Sequence, residues 1–551
     1  MYCSTEAILM DLFWKGMTFK MTKIKNKKQL LWLVLIIITA IICVIYFGNK
    51  KAGFHEDEYY SYYSTNYVYG WVMPDSEWTP QSRYFNEFVV LEGQEYQYDL
   101  VKTVQSWDVH PPLYYWVLHT VCSLFPGIFS KWFGLSVNIF AYVVSIVFFY
   151  LIAKRLLNAD KYAHMPLLAT ACFAFSPAII SSAMFIRMYS LLTCFILMSF
   201  YLFVKAWQEE KITNPRFLIP MGVLVYLGFM TQYYFMIYLF FMTFATCVIL
   251  LFQTKKLKKP FIYGITIVIP MVLAYITYPS CLGHMFRGQR GAQATSSFFD
   301  LSNTFERIKT FTELTDKYLF QGTFPFVVLL IVLTGTYLYW KNSREKKLQK
   351  NISGETYLVG ILCFTVLGYM AAVSKTALML GDTSVRYILP IFSLLLLAVV
   401  KICLVMQEQI HSKKNMSIVV TILLSVILIG NGYSIIKEKV LFLYTEDAQK
   451  VQYAKENSDI PVVYVYNAAN SWCIWESSNE LFEYPQVYFT SDAVDTAISD
   501  DIVQNSKELL VYVNTLGDTD KQIQRVLESN KNVTEYELVH EEKFCNLYKL
   551  H

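Results

Sequence analysis

Charge is scarce in this chain. Asp, Glu, Lys and Arg together make up 16% of its 551 residues, against 55% hydrophobic and 17% aromatic. Soluble domains carry charge on roughly a quarter of their residues, so an ordinary water-soluble enzyme is excluded. The 11 cysteines form no CxxC pair, which argues against a thiolate metal site. No HExxH-like spacing puts ligands on one helix face. The C-terminal tail has no glycine-rich phosphate loop, so no nucleotide site is expected there. No internal repeat stands out. The N-terminal 20 residues carry no organised signal, and Met17 or Met21 could be the true start. The first apolar run lacks a small-residue cleavage site and reads as an uncleaved anchor. Most cysteines lie in or beside apolar runs as small hydrophobes. Cys473 and Cys545 are the pair that an oxidising compartment could join.

Long apolar runs are what the chain has instead. Crossing the hydrocarbon core takes roughly 17 to 25 apolar residues. Eleven runs qualify, at about 30–47, 133–153, 166–184, 188–207, 217–232, 233–252, 260–281, 322–340, 356–374, 385–406 and 416–435. The run at 111–129, "PPLYYWVLHTVCSLFPGIF", is a twelfth candidate that charge decides against. With the N terminus cytoplasmic and this run not spanning, the basic clusters at 23–28, 154–155, 211–216, 255–259, 341–350 and 411–414 all face inward. That satisfies the positive-inside rule. Counting 111–129 as a span would put five of the six outside. It is therefore expected to lie on, or dip into, the outer leaflet.

The expected organisation is a cytoplasmic segment over 1–29, a membrane module over 30–438 whose outer loop spans 48–132, and an extracytoplasmic α/β domain over 439–551. β-rich runs at 462–466, 486–490, 509–513, 536–539 and 545–548 alternate with polar helical stretches in the tail, which predicts a small independently folding layer. From Glu446 onward the tail has 8 Lys and Arg against 19 Asp and Glu, a net charge of −11 that leaves +15 for the remainder. The fold class is thus an α-helical polytopic membrane protein of about 11 transmembrane helices with a small C-terminal α/β domain.

Two polar patches open and close the first outer loop. "FHEDEYYSYYST" at 54–65 sets His55, Glu56, Asp57 and Glu58 before a run of tyrosines that includes Tyr59, with Tyr67 and Tyr69 beyond it. The alternative for this stretch is a wet loop with an interfacial aromatic belt. "WDVHPPLYYW" at 107–116 repeats acid and imidazole, Asp108 and His110, before aromatics that include Tyr114. Its double proline bars a continuous helix and biases His110 to extended backbone, so the two patches are expected to share a pocket. Arg187 in "FIRMYS" and Arg386 in "SVRYILP" stand at outer span ends, and Lys375 with Arg287 or Arg290 lies in outer segments. Cations placed against the positive-inside trend require an anionic partner or snorkel to headgroups. A lipid phosphate suits arginine's planar pair of hydrogen bonds.

In that order, an Asp-Glu pair (Asp57, Glu58), "HPPLYY" at 110–115, "RxY" (Arg187, Tyr189) and "RYxLP" at 386–390 resemble the protein O-mannosyltransferase-like, or GT-C, integral-membrane glycosyltransferases. The lipid A aminoarabinose transferase is a relative in that family. The resemblance implies transfer of a hexose or pentose from a polyprenyl-phosphate carrier to an envelope lipid, glycan or protein on the outer face of the plasma membrane. It implies Asp57 as the base on the acceptor hydroxyl, with Glu58 in support, and His110, Arg187, Arg386 and Tyr387 at the donor phosphate. Glu56, Asp108, Tyr59 and Tyr114 are further substrate-binding candidates. The preceding His55 and Glu56 leave Glu56 open as the working carboxylate. The 282–321 segment is short and lacks the large sugar-binding insertion of the eukaryotic O-mannosyltransferases.

No cofactor is firmly implied, although His55, Asp57, Glu58, Asp108 and His110 could collect a divalent cation. The competing class is a transporter or flippase for an anionic lipid, which would place ionisable residues at span midpoints. Span interiors here are apolar. A noncatalytic scaffold would leave the ordered acids and arginines unexplained.

Overall fold

An apolar run of 18 residues saturates its own backbone hydrogen bonds only as a helix, and in lipid it has no other partner for them. The computed structural model describes residues 27–66, 73–157, 163–286, 288–344, 353–409 and 415–551. The alternative starts Met17 and Met21 lie outside the described residues, as do Tyr67, Tyr69, Arg287 and the basic residues at 23–26, 345–350 and 411–414.

Among the described residues, nine helices are long and apolar enough to cross a membrane: Lys27–Lys50, Lys131–Leu156, Tyr189–Gln208, Tyr234–Thr254, Lys258–Thr277, Phe324–Lys341, Gly354–Thr376, Gly381–Met406 and Ile418–Ile436. Met165–Ala174 and Pro177–Met184, bent by 47°, make a tenth if counted as one span. Pro177 explains the break, because it donates no hydrogen bond and holds Ser176 extended. The remaining expected run is the 17-residue helix Pro215–Thr231, started by Asn214, whose side chain accepts the Arg216 N–H. All eleven expected runs are thus helical, but nine to ten meet the length for crossing. The 111–129 run holds only the 11-residue helix Leu113–Ser123, too short to cross.

The chain divides into two compact units. A membrane unit takes the residues through Tyr46, Gln105–Tyr114 and Leu135–Leu441. Its most enclosed span is Gly381–Met406. Lys401 on that span pairs with Glu355 at 2.5 Å.

A sheet unit takes Phe47–Val104, Tyr115–Gly134 and Phe442–His551. Its six strands are β1 (Glu77–Pro80), β2 (Val462–Tyr466), β3 (Gln486–Ser491), β4 (Leu509–Asn514), β5 (Tyr536–Glu541) and β6 (Cys545–Leu550), in the order β1-β3-β2-β4-β6-β5. β2 runs parallel to β3 and β4, and the other pairings are antiparallel. The five strands expected in the tail are present. The tail was expected to fold by itself; instead, its sheet takes edge strand β1 from the loop after the first span. Backbone pairing joins residues some 400 positions apart without any local signal, which is why β1 escaped the sequence. One sheet face packs Val463, Val511, Val513, Ile523 and Val526 into an aliphatic core under helix Thr519–Ser529. Cys473 and Cys545, the pair that an oxidising compartment could join, are both free, buried thiols.

Candidate functional site

In the sheet unit, "HEDE" resolves into a helix start. His55 sits just before helix Glu56–Asn66. Its Nδ1 accepts the Asp57 N–H at 3.0 Å, while Glu58 Oε2 reaches back to accept the His55 N–H at 2.8 Å. This is a reciprocal capping box with histidine in the place usually held by serine or threonine. Glu58 is fully buried and bonds Lys51 Nζ at 2.9 Å. Lys51 also donates to the Phe442 carbonyl at 2.6 Å. Burial pushes the Lys51 ammonium below its ordinary range, with the Glu58 charge working against that.

The four ionisable residues therefore divide by role. Glu56 Oε1 is held by Lys543 Nζ at 3.1 Å. His55 and Glu58 close the cap. Asp57, 35% exposed at its side chain, is the most accessible of the four, and the cap fixes its backbone. Among the described tyrosines behind it, three belong to the core instead of the interfacial belt weighed as the alternative. Tyr59, Tyr62 and Tyr63 are buried. Tyr59 packs on Phe54, Phe88 and Phe129, so its place as a substrate-binding candidate is corrected to a packing one.

In the membrane unit, Asp108 Oδ2 lies 2.7 Å from His110 Nδ1, and Arg187 Nη2 lies 3.3 Å from His110 Nε2. The carboxylate favours the tautomer in which Nδ1–H donates to Asp108, and Arg187 Nη2 lies against the ring, within 3.5 Å of both nitrogens. Burial would raise the Asp108 carboxyl, but the His110 and Arg187 charges and the His110 hydrogen bond outweigh it and hold it below its ordinary value. Arg187 is almost fully buried. Tyr278 Oη donates to the His110 carbonyl at 3.4 Å.

Arg386 lies over the rings of Phe185 and Tyr387, 5.3 and 5.1 Å from their centroids, and Nη2 donates to Tyr387 Oη at 3.2 Å. Tyr189 stacks on Phe185 and meets Tyr387 edge-on. Both arginines thus engage the short 185–189 segment between spans. Tyr114 is fully buried in this unit. Lys375 is taken up by Asn303 Oδ1 at 3.1 Å, Thr304 Oγ1 at 2.8 Å and the Asp300 carbonyl. Arg290 is exposed and meets Gln293.

The residues that sequence reasoning passed over are Lys51, Phe185 and Tyr278. Lys51 carried a readable signal: a cation just beyond the outer end of a span needs a buried partner. Of the residues that could collect a divalent cation, His55 is engaged by the cap and Glu58 by Lys51. Among the described residues, Glu480, His540 and Glu542 bring three ligand atoms within 4.8 Å of one another.

Residues 109–278 match the family model of the dolichyl-phosphate-mannose-protein mannosyltransferases. That stretch holds His110 and Arg187. No curated protein matches the chain by sequence. The fold is similar to the crystal structure of ArnT from Cupriavidus metallidurans bound to undecaprenyl phosphate, with a TM-score of 0.51 at 11% identity over 94% of this chain and 98% of that one. ArnT from the same organism in the apo state gives 0.46 at 12% identity over 94% and 97%. The Archaeoglobus fulgidus oligosaccharyltransferase tethered with an acceptor peptide gives 0.38 at 10% identity over 86% and 65%. A mannosyltransferase family signature thus lies across the central spans, and the fold of nearly the whole chain is similar to that of ArnT.

Proposed function

We propose that the chain transfers a sugar from a polyprenyl-phosphate carrier to an acceptor hydroxyl at the outer face of the plasma membrane, by one inverting displacement. The observation that carries this is the Asp108–His110–Arg187 relay beside an aromatic-walled Arg386. Two buried guanidiniums at span ends suit the phosphate of a lipid carrier, and undecaprenyl phosphate in ArnT is a carrier of that class.

In the step itself, Asp57 takes the acceptor proton as the acceptor oxygen bonds the anomeric carbon. The bond from that carbon to the phosphate oxygen breaks, and its electron pair leaves with the polyprenyl phosphate. Arg187, Arg386 and the imidazole of His110 stabilise the charge gathering on the departing phosphate. Glu58 holds the cap that orients Asp57. The acceptor is an envelope lipid, glycan or protein, and the sugar a hexose or pentose.

Mass spectrometry of lipid copurifying with the protein tests the donor, and a polyprenyl-phosphate sugar is expected. Asp57→Asn should lower turnover by about two to four orders of magnitude with donor affinity nearly unchanged. Glu56→Gln should retain most activity. An inactive Glu56→Gln beside a normal Asp57→Asn would move the base by one residue. Lipid translocation without transfer would return the chain to the flippase class.

A further inference from the structure

The geometry points to a divalent-cation site in the sheet unit, formed by Glu480, His540 and Glu542 and suited to zinc. A register shift in the pairing of β5 with β6 sets it up. Leu538 pairs with Tyr548, but His540 pairs with the next residue, Leu547, leaving Val539 as the extra residue of a bulge. Without the bulge, alternation would keep His540 on the face of Leu538, which is 46% exposed. With it, His540 joins Leu547, Tyr512 and Tyr464 in a row across the other face. Bulges serve to re-aim a side chain in this way.

His540 then faces two carboxylates. Its Nε2 lies 3.9 Å from Glu480 Oε2 and 3.9 Å from Glu542 Oε1. The Glu480 and Glu542 side chains are each 2% exposed. Both Glu480 Oε2 and His540 Nε2 are buried with no hydrogen-bond partner, each aimed into the space they share. A tetrahedral zinc site with ligand distances of about 2.0–2.1 Å has edges of about 3.3–3.4 Å, so His540 Nε2 needs to close on each carboxylate by only about half an ångström. Imidazole and carboxylate donors suit zinc.

The cation already present does not balance the cluster. Lys450 Nζ is 2.8 Å from Glu542 Oε1 and 3.1 Å from Asp447 Oδ1. It therefore neutralises one cluster acid and engages an acid outside it, leaving Glu480 facing Glu542. A buried carboxylate in that position requires a counter-cation or a proton. Lys450 and Ser477, whose Oγ donates to Glu542 Oε2 at 3.2 Å, are the hydrogen-bond donors that orient a ligating carboxylate. The site ties β5 to helix Ser478–Leu481, and water completes the coordination.

Chelator-treated full-length protein in detergent, titrated with zinc chloride, tests the site. One equivalent should bind and raise the melting temperature. Zinc-edge X-ray absorption should show a nitrogen and oxygen shell without sulfur. Glu480→Gln and His540→Gln should each weaken binding at least tenfold, while the exposed Glu537→Gln should not. A sulfur shell, substoichiometric binding, or affinity unchanged in both variants would overturn the proposal. So would zinc-insensitive melting in wild type with Glu480→Gln at least as stable, since that result assigns the cluster a shared proton instead of a metal.

Discussion

Lys51 Nζ and Glu58 Oε2 meet at 2.9 Å with neither side chain exposed to solvent. The pair anchors the start of the helix that carries Asp57, and so separates two carboxylates that are adjacent in sequence. Removing one partner of a buried pair strands the other charge, at a cost of about 3–5 kcal/mol. Glu58→Gln and Lys51→Met should therefore each lower the melting temperature of the purified protein, and activity should fall in step with folded fraction. The double variant should recover part of the loss. Asp57→Asn should leave the melting temperature unchanged, so a thermal shift assay beside an activity assay distinguishes support from chemistry.

Arg386 and Asp108 should fail in different ways. Arg386→Ala removes a guanidinium from its seat between Phe185 and Tyr387, and about ten- to a hundredfold weaker binding of a polyprenyl phosphate is expected. Asp108→Asn keeps the shape but replaces the charged acceptor, which favours Nδ1–H on His110, with an amide that can also donate to that nitrogen. Turnover should fall more than donor affinity does. Equilibrium binding of a fluorescent polyprenyl phosphate, measured alongside steady-state transfer, resolves the two. Equal affinity in Arg386→Ala would remove that arginine from the donor site.

Glu87 makes stability depend on pH. Burial pushes its carboxyl up to about 8, with Arg83 opposing, and its Oε2 is buried without a hydrogen-bond partner. Below about pH 4.5 both the folded and the unfolded chain hold the proton. Between about 4.5 and 8 only the unfolded chain releases it, so this residue's contribution erodes stability as pH rises, and above about 8 the loss levels off. Glu87→Gln should flatten that decline and melt higher than wild type at pH 8. Melting curves across the window check the sign; a slope unchanged in the variant would place the titration elsewhere.

The shared sheet predicts what truncation does. Ending the chain after Lys437 removes β2 to β6 and leaves β1, at Glu77–Pro80, without its partner β3. The loop after the first span should then become sensitive to limited proteolysis near those residues. The spans should remain folded, because nearly all of the membrane unit that they make up precedes the cut. Protection of Glu77–Pro80 in the truncated protein would show that β1 is held without the tail.

Much of this protein is written in local pattern. Apolar runs set the spans because only helices satisfy backbone groups in lipid, and short β-branched and aromatic runs placed β2 to β6 within a residue or two of their ends. Arg187 and Arg386 could be singled out because charge at the end of a span is costly enough to be conspicuous, and His110 because of the double proline after it. Whatever depended on distant partners stayed hidden. The sequence left Glu56 open beside Asp57 as the working carboxylate, and tertiary structure divided the acids: Lys543 holds Glu56, Lys51 holds Glu58, and Asp57 is left the most accessible. Strand β1 looked like loop because four residues carry no periodicity until β3 pairs with them. His540 looked like one polar residue on an edge strand until a one-residue bulge turned it towards Glu480. Hydropathy and propensity act between neighbours in sequence, whereas ion pairing, strand register and capping partners are decided by residues that only the folded chain brings together.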